Sequence, residues 1–288
     1  MSWRVIVVSH CAKLDYQLGY MVIRTDEKKK IHLSEISHVI IETTAVSITA
    51  ALLCELTKKK IKVIFCDEKR NPSSELVSYY GSHDTSAKIR NQITWDSERR
   101  LAIWTEIVTE KIRQQAFLLE KWRCDEAELL KHYIEEIEFG DATNREGHAA
   151  KVYFNALFSK EFTRSDDSSI NAALNYGYSL ILSCFTREIV SNGYLTQLGL
   201  FHDNMFNQFN LASDLMEPYR PIVDDMVKNL SPEEFGSQQK HYMLELFQKT
   251  VTIAGRKEYV SNAIKIYCKS VFDALSSGDA SLIKFYRN

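Results

Sequence analysis

The chain has 288 residues and a mass of 33.3 kDa, which allows one large domain or two ordinary ones. Hydrophobic residues make up 45% and charged residues 26% of the sequence, a mixture that excludes a fibrous or disordered protein. With 36 basic and 38 acidic residues the formal net charge is −2, so a site for a polyanion would need a local cluster of basic side chains. Lysine runs at 28–30 and 58–60 and scattered arginines are candidates, although such runs also fit a solvated surface.

The cysteines and the N-terminus indicate the cellular compartment. The six cysteines show no C-x-x-C pair and no regular spacing, which predicts reduced, mostly buried thiols and excludes a zinc ribbon or a disulfide scaffold. The apolar run after Arg4 is too short for a signal peptide, and nowhere do about 18 apolar residues follow one another. We therefore expect a cytoplasmic protein without a membrane segment.

Residues 1–81 favour β-strands. Short runs of β-branched and aromatic residues alternate with charged or Gly, Asn and Pro turns, which is typical of strands. One helix is predicted from Val46 to Leu56, because its apolar residues recur at helical spacing before a lysine-rich end. The predicted strands are RVIVVS, YMVIRT, SHVIIET, KVIFCD and ELVSYYG.

After Gly81 the pattern becomes helical. No glycine or proline occurs until Gly140, and apolar residues between Leu101 and Trp122 follow a period close to 3.6, which predicts one long helix or two. Helical patterns continue to the C-terminus, with stops at 140, 191–193 and 231–232. We therefore predict an α+β protein, with a β-rich N-terminal domain at residues 1–81 and a larger, all-α C-terminal domain at residues 82–288.

Glu146 lies in a predicted buried helix, NREGHAAKVYFNALF, at residues 144–158. The apolar residues of this helix cover most of its circumference, and Glu146 shares a face with Tyr153 and Leu157. A carboxylate that points into the protein needs a partner or a metal ion. The alternative is a capping box from Thr143, in which Glu146 folds back onto the N-terminus of its own helix.

A second buried helix is predicted for the segment INAALNYGYSLILSCFTREIV, which ends before Gly193. It carries Asn171 and Asn175 in a nearly all-apolar sequence. Both amides need hydrogen-bond partners, and polar residues near a helix start are favoured over a direct catalytic role.

Acids and prolines are concentrated in the stretch FHDNMFNQFNLASDLMEPYRPIVDD. Asp214 and Glu217 are three residues apart and share a face if the turn is helical. Pro218 and Pro221 predict a helix that begins nearby or bends there. Arg220 is close enough in sequence to pair with either acid, so a helix N-terminal turn with one salt bridge is the structural alternative.

Taken alone, His202 fits an ordinary hydrogen-bonded histidine better than a metal ligand. Two or three carboxylates together with a histidine, each in apolar surroundings, are nevertheless the ligand set of Mg²⁺ or Mn²⁺ with positions open for water and phosphate oxygens. Zinc hydrolase chemistry fits less well, because neither H-E-x-x-H nor paired cysteines occur. The glycine motifs of nucleotide-binding sites and serine hydrolases are also missing.

At these residues the sequence resembles the CRISPR-associated integrase of spacer acquisition, the larger of the two core adaptation proteins, in the short form of type II systems with a single large effector nuclease. The order and spacing of four motifs, and the β-then-α organisation, extend over essentially the whole chain. The motifs are REGHAAKVYF around Glu146, NAALNYGYSLI at 171–181, GLFHDN around His202 and LASDLMEPYRPIVD around Glu217.

The resemblance implies that Glu146, His202 and Glu217 are the catalytic residues and bind Mg²⁺ or Mn²⁺, with Asp214 close to the same site. Many family members have aspartate at the position of Glu217, so the coordination geometry of the longer side chain is open. The implied reaction joins the 3′-hydroxyl of captured foreign DNA to a phosphodiester at the border of a CRISPR repeat, without a covalent protein nucleophile.

The resemblance also implies partners. The β domain would form a homodimer, and two dimers would flank a dimer of a small ferredoxin-like protein in a heterohexamer that holds double-stranded DNA, first the captured spacer precursor and then the CRISPR leader and repeat. A ring-shaped accessory protein and the effector nuclease would join acquisition. A basic track that makes about six phosphate contacts would suffice for binding despite the near-neutral charge.

Two other functions remain open on the residues alone. A non-catalytic scaffold would bind duplex DNA without regard to metal or to His202. A free-standing divalent-metal nuclease would cleave branched DNA, and because strand transfer in reverse is also cleavage, only the joining of a supplied 3′-hydroxyl end separates it from an integrase.

Overall fold

The computed structural model describes residues 4–78 and 82–287, in two compact units, Met1–His83 and Asp84–Asn288. The predicted domain boundary after residue 81 lies beside residues 79–81, outside the described part of the chain. With 53% of the residues in helices and 17% in strands, and the strands first, the fold is α+β as predicted.

The first unit is built from strands and one α-helix. Its elements are β1 Arg4–Val8, β2 Ala12–Gln17, β3 Tyr20–Arg24, β4 Lys28–His32, β5 Ile36–Ile41, β6 Val46–Ile48, α1 Ala50–Lys58, β7 Lys62–Cys66 and β8 Pro72–Leu76.

These strands form two four-stranded sheets. One has the order β1-β5-β7-β8, parallel except for β8, and the other has the order β4-β3-β2-β6, antiparallel except for β6. Strand β5 is buried along its whole length, as expected for a central strand of a largely parallel sheet. Residues of both sheets and of α1 form one core, including Leu14, Met21, Val39, Leu52 and Val63.

The structure shifts one predicted helix and adds three strands, β2, β4 and β6. The helix predicted at Val46–Leu56 begins at Ala50, because Thr49 caps it by accepting the Leu52 N–H, and residues 46–48 pair with β2 instead. Strands β2 and β4 were not predicted, and the 28–30 lysine run lies exposed in β4. Of the predicted strand ELVSYYG, Glu75 and Leu76 lie in β8, which begins earlier, at Pro72, whereas Val77 and Ser78 lie outside it. The remaining residues, 79–81, are outside the described part of the chain.

The second unit consists mainly of helices. Its elements are α2 Thr85–Ile93, α3 Ser97–Lys121, α4 Ala127–Glu135, α5 Arg145–Leu157, α6 Ser169–Ser191, α7 Asn210–Met216, α8 Arg220–Leu230, α9 Ser237–Leu244, β9 Thr250–Ile253, β10 Arg256–Tyr259 and α10 Val260–Ser277.

Helix α3 organises the second unit. Asp96 caps it by accepting the N–H of Arg99 at 2.7 Å, and without internal glycine or proline it continues for 25 residues. It contacts α4, α5, α8, α10 and the short 3-10 turn that precedes α8. Several helices of the second unit therefore pack against α3.

The helical unit also contains a β-hairpin that the sequence patterns did not indicate. Strands β9 and β10 pair antiparallel, and the turn between them places Ala254 and Gly255 at φ 48° and 74°. Positive φ at both central positions matches the twist of a two-residue hairpin. The apolar residues around the hairpin have a spacing close to that of the neighbouring helices. The sequence pattern therefore does not distinguish these two strands from a helix.

The cysteines are free thiols, as the sequence predicted. Cys66, Cys184 and Cys268 are buried, whereas Cys11 and Cys54 are exposed. Among the described residues, no helix has the length and apolar content that crossing a bilayer would require.

Candidate active site

The N-terminus of α5 places Glu146. Asn144 is the N-cap residue, in the left-handed conformation, and its side chain accepts one first-turn N–H. Asp141 accepts two more, including the N–H of Glu146 at 3.1 Å. The helix donors are thus satisfied by other side chains, and the alternative of a capping box from Thr143 is wrong. The Glu146 carboxylate remains available for other contacts.

Lys111 on α3 connects two of the predicted site residues. Its side chain is 7% exposed, and its ammonium forms ion pairs with Oε1 of Glu146 and, at 2.5 Å, with Oε2 of Glu217. Burial alone would lower the pKa of Lys111, but the carboxylates of Glu217 and Glu146 outweigh burial and raise the pKa above its usual value. A protein cation therefore lies between the two carboxylates.

Glu217 opens the 3-10 turn between α7 and α8. Pro218 and Pro221 occupy early positions of the turn and of α8, where a missing N–H costs least. The side chain is 6% exposed, and Nε of Arg220 donates to its Oε1 at 2.8 Å. Burial raises the pKa of Glu217, but Arg220 and Lys111 more than offset it and lower the pKa to about 2. Glu217 is thus ionised at neutral pH.

Asp214 on α7 holds the loop that carries His202. Its buried oxygens accept the backbone N–H groups of Leu200 at 2.5 Å, Phe201 at 3.1 Å and His202 at 3.2 Å. The ring Nδ1 of His202 donates to Oδ1 of Asp214 at 2.5 Å. A Cβ on Gly199 would lie 2.7 Å from Oδ2 of Asp214, so a glycine is needed for this approach. The bond at Nδ1 leaves Nε2 of His202 as the nitrogen for a ligand.

His202 lies within electrostatic reach of both glutamates. The hydrogen bond to Asp214 raises the pKa of His202, burial lowers it, and the charges of Glu217 and Glu146 add to the rise. The ring meets Trp104 edge-on at 5.8 Å, which restricts its orientation, while the side chain stays 44% exposed. The two glutamates thus share Lys111, and His202, with Asp214 behind it, is near enough for both of their charges to act on it.

The donor set suits a hard divalent cation. Two carboxylates and one imidazole nitrogen are ligands that Mg²⁺ and Mn²⁺ accept, and the carboxylate pair already attracts the Lys111 ammonium. Within residues 4–78 and 82–287, however, no group of three or more His, Cys, Asp and Glu side chains is arranged closely enough to hold a metal ion. The side chains fit a divalent cation chemically, but Lys111 takes the position between the two glutamates.

A buried network that the sequence did not reveal lies behind Glu217. Tyr153 and Tyr178 donate their hydroxyls to Asp224, the former at 2.8 Å. Burial raises the pKa of Asp224 to about 6, although the two tyrosine hydrogen bonds and the charges of Arg220 and Arg164 oppose the shift. The guanidinium of Arg220 lies 4.6 Å above the Tyr178 ring, which connects this network to the residue that holds Glu217.

The two asparagines of α6 bind an arginine. Arg164 donates to the side-chain oxygens of Asn171 and Asn175, the latter at 2.7 Å, and Asn171 also donates to backbone carbonyls of the preceding loop. Their position near the helix start agrees with the structural interpretation. These contacts tie the 159–168 loop to α6 and hold Arg164 against Tyr178 at 5.4 Å.

Comparison with known proteins was made on sequence and on structure. Residues 5–263 match the family described as CRISPR associated protein Cas1. A CRISPR-associated endonuclease Cas1 of Neisseria meningitidis serogroup C (strain 8013) is 35% identical over 232 residues, which cover 80% of this chain and 76% of that protein.

Two solved structures share the fold. A casposase bound to integration product superposes with a TM-score of 0.75 at 20% identity, covering 96% of this chain and 91% of that one. A chain of a Cas6-RT-Cas1–Cas2 complex superposes with a TM-score of 0.71 at 19% identity, covering 97% of this chain and 36% of that one. The family match extends over most of the chain and includes Glu146, His202 and Glu217. The chain therefore belongs to the family of CRISPR associated protein Cas1.

Proposed function

We propose that this protein is a divalent-metal-dependent DNA integrase and endonuclease of CRISPR spacer acquisition, which joins the 3′-hydroxyl ends of captured foreign DNA to the leader-proximal repeat. One observation carries the proposal: the carboxylates of Glu146 and Glu217 both pair with the Lys111 ammonium. His202, which Asp214 orients, lies beside them. The endonuclease name of the Neisseria relative and the integration product of the casposase structure support the reaction class.

Mg²⁺ or Mn²⁺ would be held by Glu146, His202 and Glu217, and would supply charge stabilisation and activation of the attacking hydroxyl. Asp214 holds the His202 ring through Nδ1, so Nε2 would be the nitrogen that binds the ion. Arg220 and the turn at Pro218 keep the Glu217 carboxylate in place.

Strand transfer exchanges one phosphodiester for another. The 3′-oxygen of the captured DNA forms a bond to phosphorus, the bond to the 3′-oxygen of the target strand breaks, and the leaving oxygen gains the proton that the attacking hydroxyl loses. No water and no covalent protein intermediate is needed, so positioning and charge stabilisation carry the catalysis.

The loop after His202 suits contact with DNA. Met205 and Phe206 are 87% and 90% exposed, although both are large and apolar. Side chains of this kind stack on bases or wedge between base steps. Asn204 holds the loop by accepting the N–H of Phe206 at 2.9 Å, so the two apolar side chains are presented within four residues of His202.

The partners are proposed on the same basis. Homodimers would bind double-stranded DNA, both the captured spacer precursor and the CRISPR leader and repeat, together with a small ferredoxin-like partner in a heterohexamer. The solved Cas1–Cas2 complex with the same fold supports a protein partner of this kind. A ring-shaped accessory protein and the effector nuclease would join the assembly, in the cytoplasm.

The test is strand transfer of a labelled short duplex with free 3′-hydroxyls into a supercoiled plasmid that bears a CRISPR leader and repeat, with the small partner protein added. Mn²⁺, Mg²⁺ and EDTA are compared, and His202→Ala is matched by His132→Ala, because the His132 side chain is 61% exposed and pairs with Glu135 and Glu136 at the end of its own helix. We expect metal-dependent joining that falls about 100-fold or more in His202→Ala and persists in His132→Ala.

Other outcomes would favour the two remaining functions. Duplex binding without joining in any metal, while a known integrase works alongside, would leave a non-catalytic scaffold. Cleavage of branched DNA without joining of the supplied 3′-end would indicate a free-standing nuclease.

A further inference from the structure

Lys111 lies within the candidate site, but the proposed chemistry does not use it. It projects from the middle of α3, is 7% exposed, and forms ion pairs with Oε1 of Glu146 and Oε2 of Glu217. A buried ammonium persists only where charge partners compensate its lost hydration. Here the partners are two residues of the proposed metal site.

The ammonium and a divalent cation need the same oxygens. Oε1 of Glu217 already accepts from Arg220 at 2.8 Å, and Oε2 lies 2.5 Å from Lys111. A metal ion bound by Glu217 would therefore have to share an oxygen with one of these two cations or displace that cation. Simultaneous occupation by the ammonium and the metal would also place like charges side by side in a buried site, which is strongly unfavourable.

Lys111 is the cation more easily moved. The guanidinium of Arg220 is fixed by its contact with the Tyr178 ring at 4.6 Å as well as by Glu217. Lysine carries a compact charge on a flexible four-carbon stem, whereas arginine forms rigid, planar contacts. Rotation about the Lys111 side chain would release both Oε1 of Glu146 and Oε2 of Glu217 without moving the backbone.

We propose that Lys111 is a resident cation that keeps the Glu146 and Glu217 carboxylates together before metal arrives, and that the metal ion binds by exchange with its ammonium. This inference depends on the proposed function, because it assumes that the site takes a divalent cation. Exchange has two consequences. The protein without metal is stabilised by Lys111, and the affinity for metal is lower than the two carboxylates alone would give.

The first test measures Mn²⁺ binding by calorimetry, and thermal unfolding in EDTA and in Mn²⁺, for the wild type and for Lys111→Met. Removing the competing charge should lower the melting temperature in EDTA, raise Mn²⁺ affinity about tenfold or more, and enlarge the melting-temperature rise that Mn²⁺ produces. Lys111→Arg, which keeps a cation, should bind Mn²⁺ no more tightly than the wild type.

The matched control is Lys62→Met in the first unit. Lys62 is 1% exposed and forms an ion pair with Glu75, so it is also a buried lysine paired with a glutamate. Its replacement should lower the melting temperature equally in EDTA and in Mn²⁺ and leave the affinity for Mn²⁺ unchanged.

A second test uses the wild type alone and does not depend on variant folding. Reductive methylation followed by peptide mass spectrometry measures the accessibility of each lysine amine. Mn²⁺ should increase the labelling of Lys111 several-fold, because the expelled ammonium leaves its carboxylate partners, while Lys62 stays equally protected.

The outcomes separate the two proposals. If wild type and Lys111→Met bind Mn²⁺ equally, or if Mn²⁺ leaves Lys111 labelling unchanged, exchange is wrong while the metal site stands. If neither protein binds Mn²⁺, the metal-dependent function and the exchange both fail. If only Lys111→Met binds Mn²⁺, the result supports competition between the Lys111 ammonium and the metal ion, with the ammonium preventing Mn²⁺ binding in the wild type.

Discussion

At the scale of single residues, Asp214 determines how His202 is presented. Both oxygens of this buried carboxylate are used, by three consecutive backbone N–H groups and by the imidazole Nδ1. A carboxylate that accepts hydrogen bonds on both oxygens fixes the ring tautomer and the loop together. The sequence placed Asp214 near the site, but its role depends on the loop geometry.

Asp214→Asn should therefore affect both stability and activity. The new amide group would present N–H donors to backbone N–H groups, so we expect a loss of about 2–4 kcal/mol in the free energy of unfolding and a loss of strand transfer. Urea unfolding and the plasmid assay measure the two effects. Asp203→Asn, one residue after His202 at an exposed position, is the control, and similar losses in both variants would contradict the assigned role.

The buried Asp224 predicts a pH dependence of stability. Its pKa is raised from 3.8 to about 6, so the folded protein holds a proton that the unfolded chain releases near pH 4. The stabilisation by protonated Asp224 is complete below about pH 4 and is lost as the pH rises through about 6, a change of at most about 3 kcal/mol at about 1.4 kcal/mol per pKa unit. Relative to the wild type, Asp224→Asn should flatten this decline.

Urea unfolding at intervals between pH 4 and pH 7 tests the expectation. As the pH rises, the free energy of unfolding of the wild type should fall relative to that of Asp224→Asn. Parallel curves for the two proteins would show that Asp224 titrates alike in the folded and unfolded states.

At the scale of elements, α6 approaches its neighbours at Gly177. A Cβ at this position would lie 2.7 Å from Cε of Met243 on α9 and closer still to Cγ1 of Val223 on α8. The absence of a side chain therefore lets the three helices pack closely behind the Asp224 network. Alanine favours a helix over glycine by about 1 kcal/mol, so only the packing opposes the substitution.

Gly177→Ala should lower the free energy of unfolding by about 1–2 kcal/mol, because the cost of overpacking exceeds the gain in helix propensity. The measurement is urea unfolding at neutral pH. Gly236→Ala is the matched control, since the nearest atom to its added Cβ is Oε1 of Gln239 at 3.5 Å. A more stable Gly177→Ala variant would mean that α8 and α9 adjust without cost.

At the scale of the whole molecule, the candidate active site lies within one of the two units. All residues of the candidate active site, including Lys111, Asp214 and Arg220, lie in the unit Asp84–Asn288. The unit Met1–His83 has a hydrophobic core of its own between its two sheets. Domains with their own cores are expected to fold independently.

A fragment of residues 84–288 should therefore keep its helical structure and bind Mn²⁺ with the affinity of the whole protein, within about threefold. Circular dichroism and calorimetry measure the two properties. An unfolded fragment, or a folded one without Mn²⁺ binding while the whole chain binds, would show that the first unit is required for the site.

Much of the site could be predicted because its signals are local. Polar residues in apolar segments singled out Glu146 and Glu217, and four motifs joined them to His202. Lys111 carries a similar signal: it is a charged residue on the buried stripe of Trp104 and Val108, at offsets of seven and three. The sequence analysis does not identify it as a site residue. The Asp224 network left no such signal, since its members come from three separate helices.

The amino-acid sequence by itself determined the α+β class, the order of strands before helices and the family, because periodicity and motifs are properties of neighbours along the chain. It also predicted Glu146, His202 and Glu217 as residues of the candidate site. Only the tertiary structure decided that the Glu146 carboxylate faces Lys111 rather than its own helix N-terminus, and that Asp214 lies behind His202. These arrangements depend on which charges meet when α3, α5, α7 and α8 pack. The packing of the helices determines which charged residues, far apart in the sequence, become neighbours.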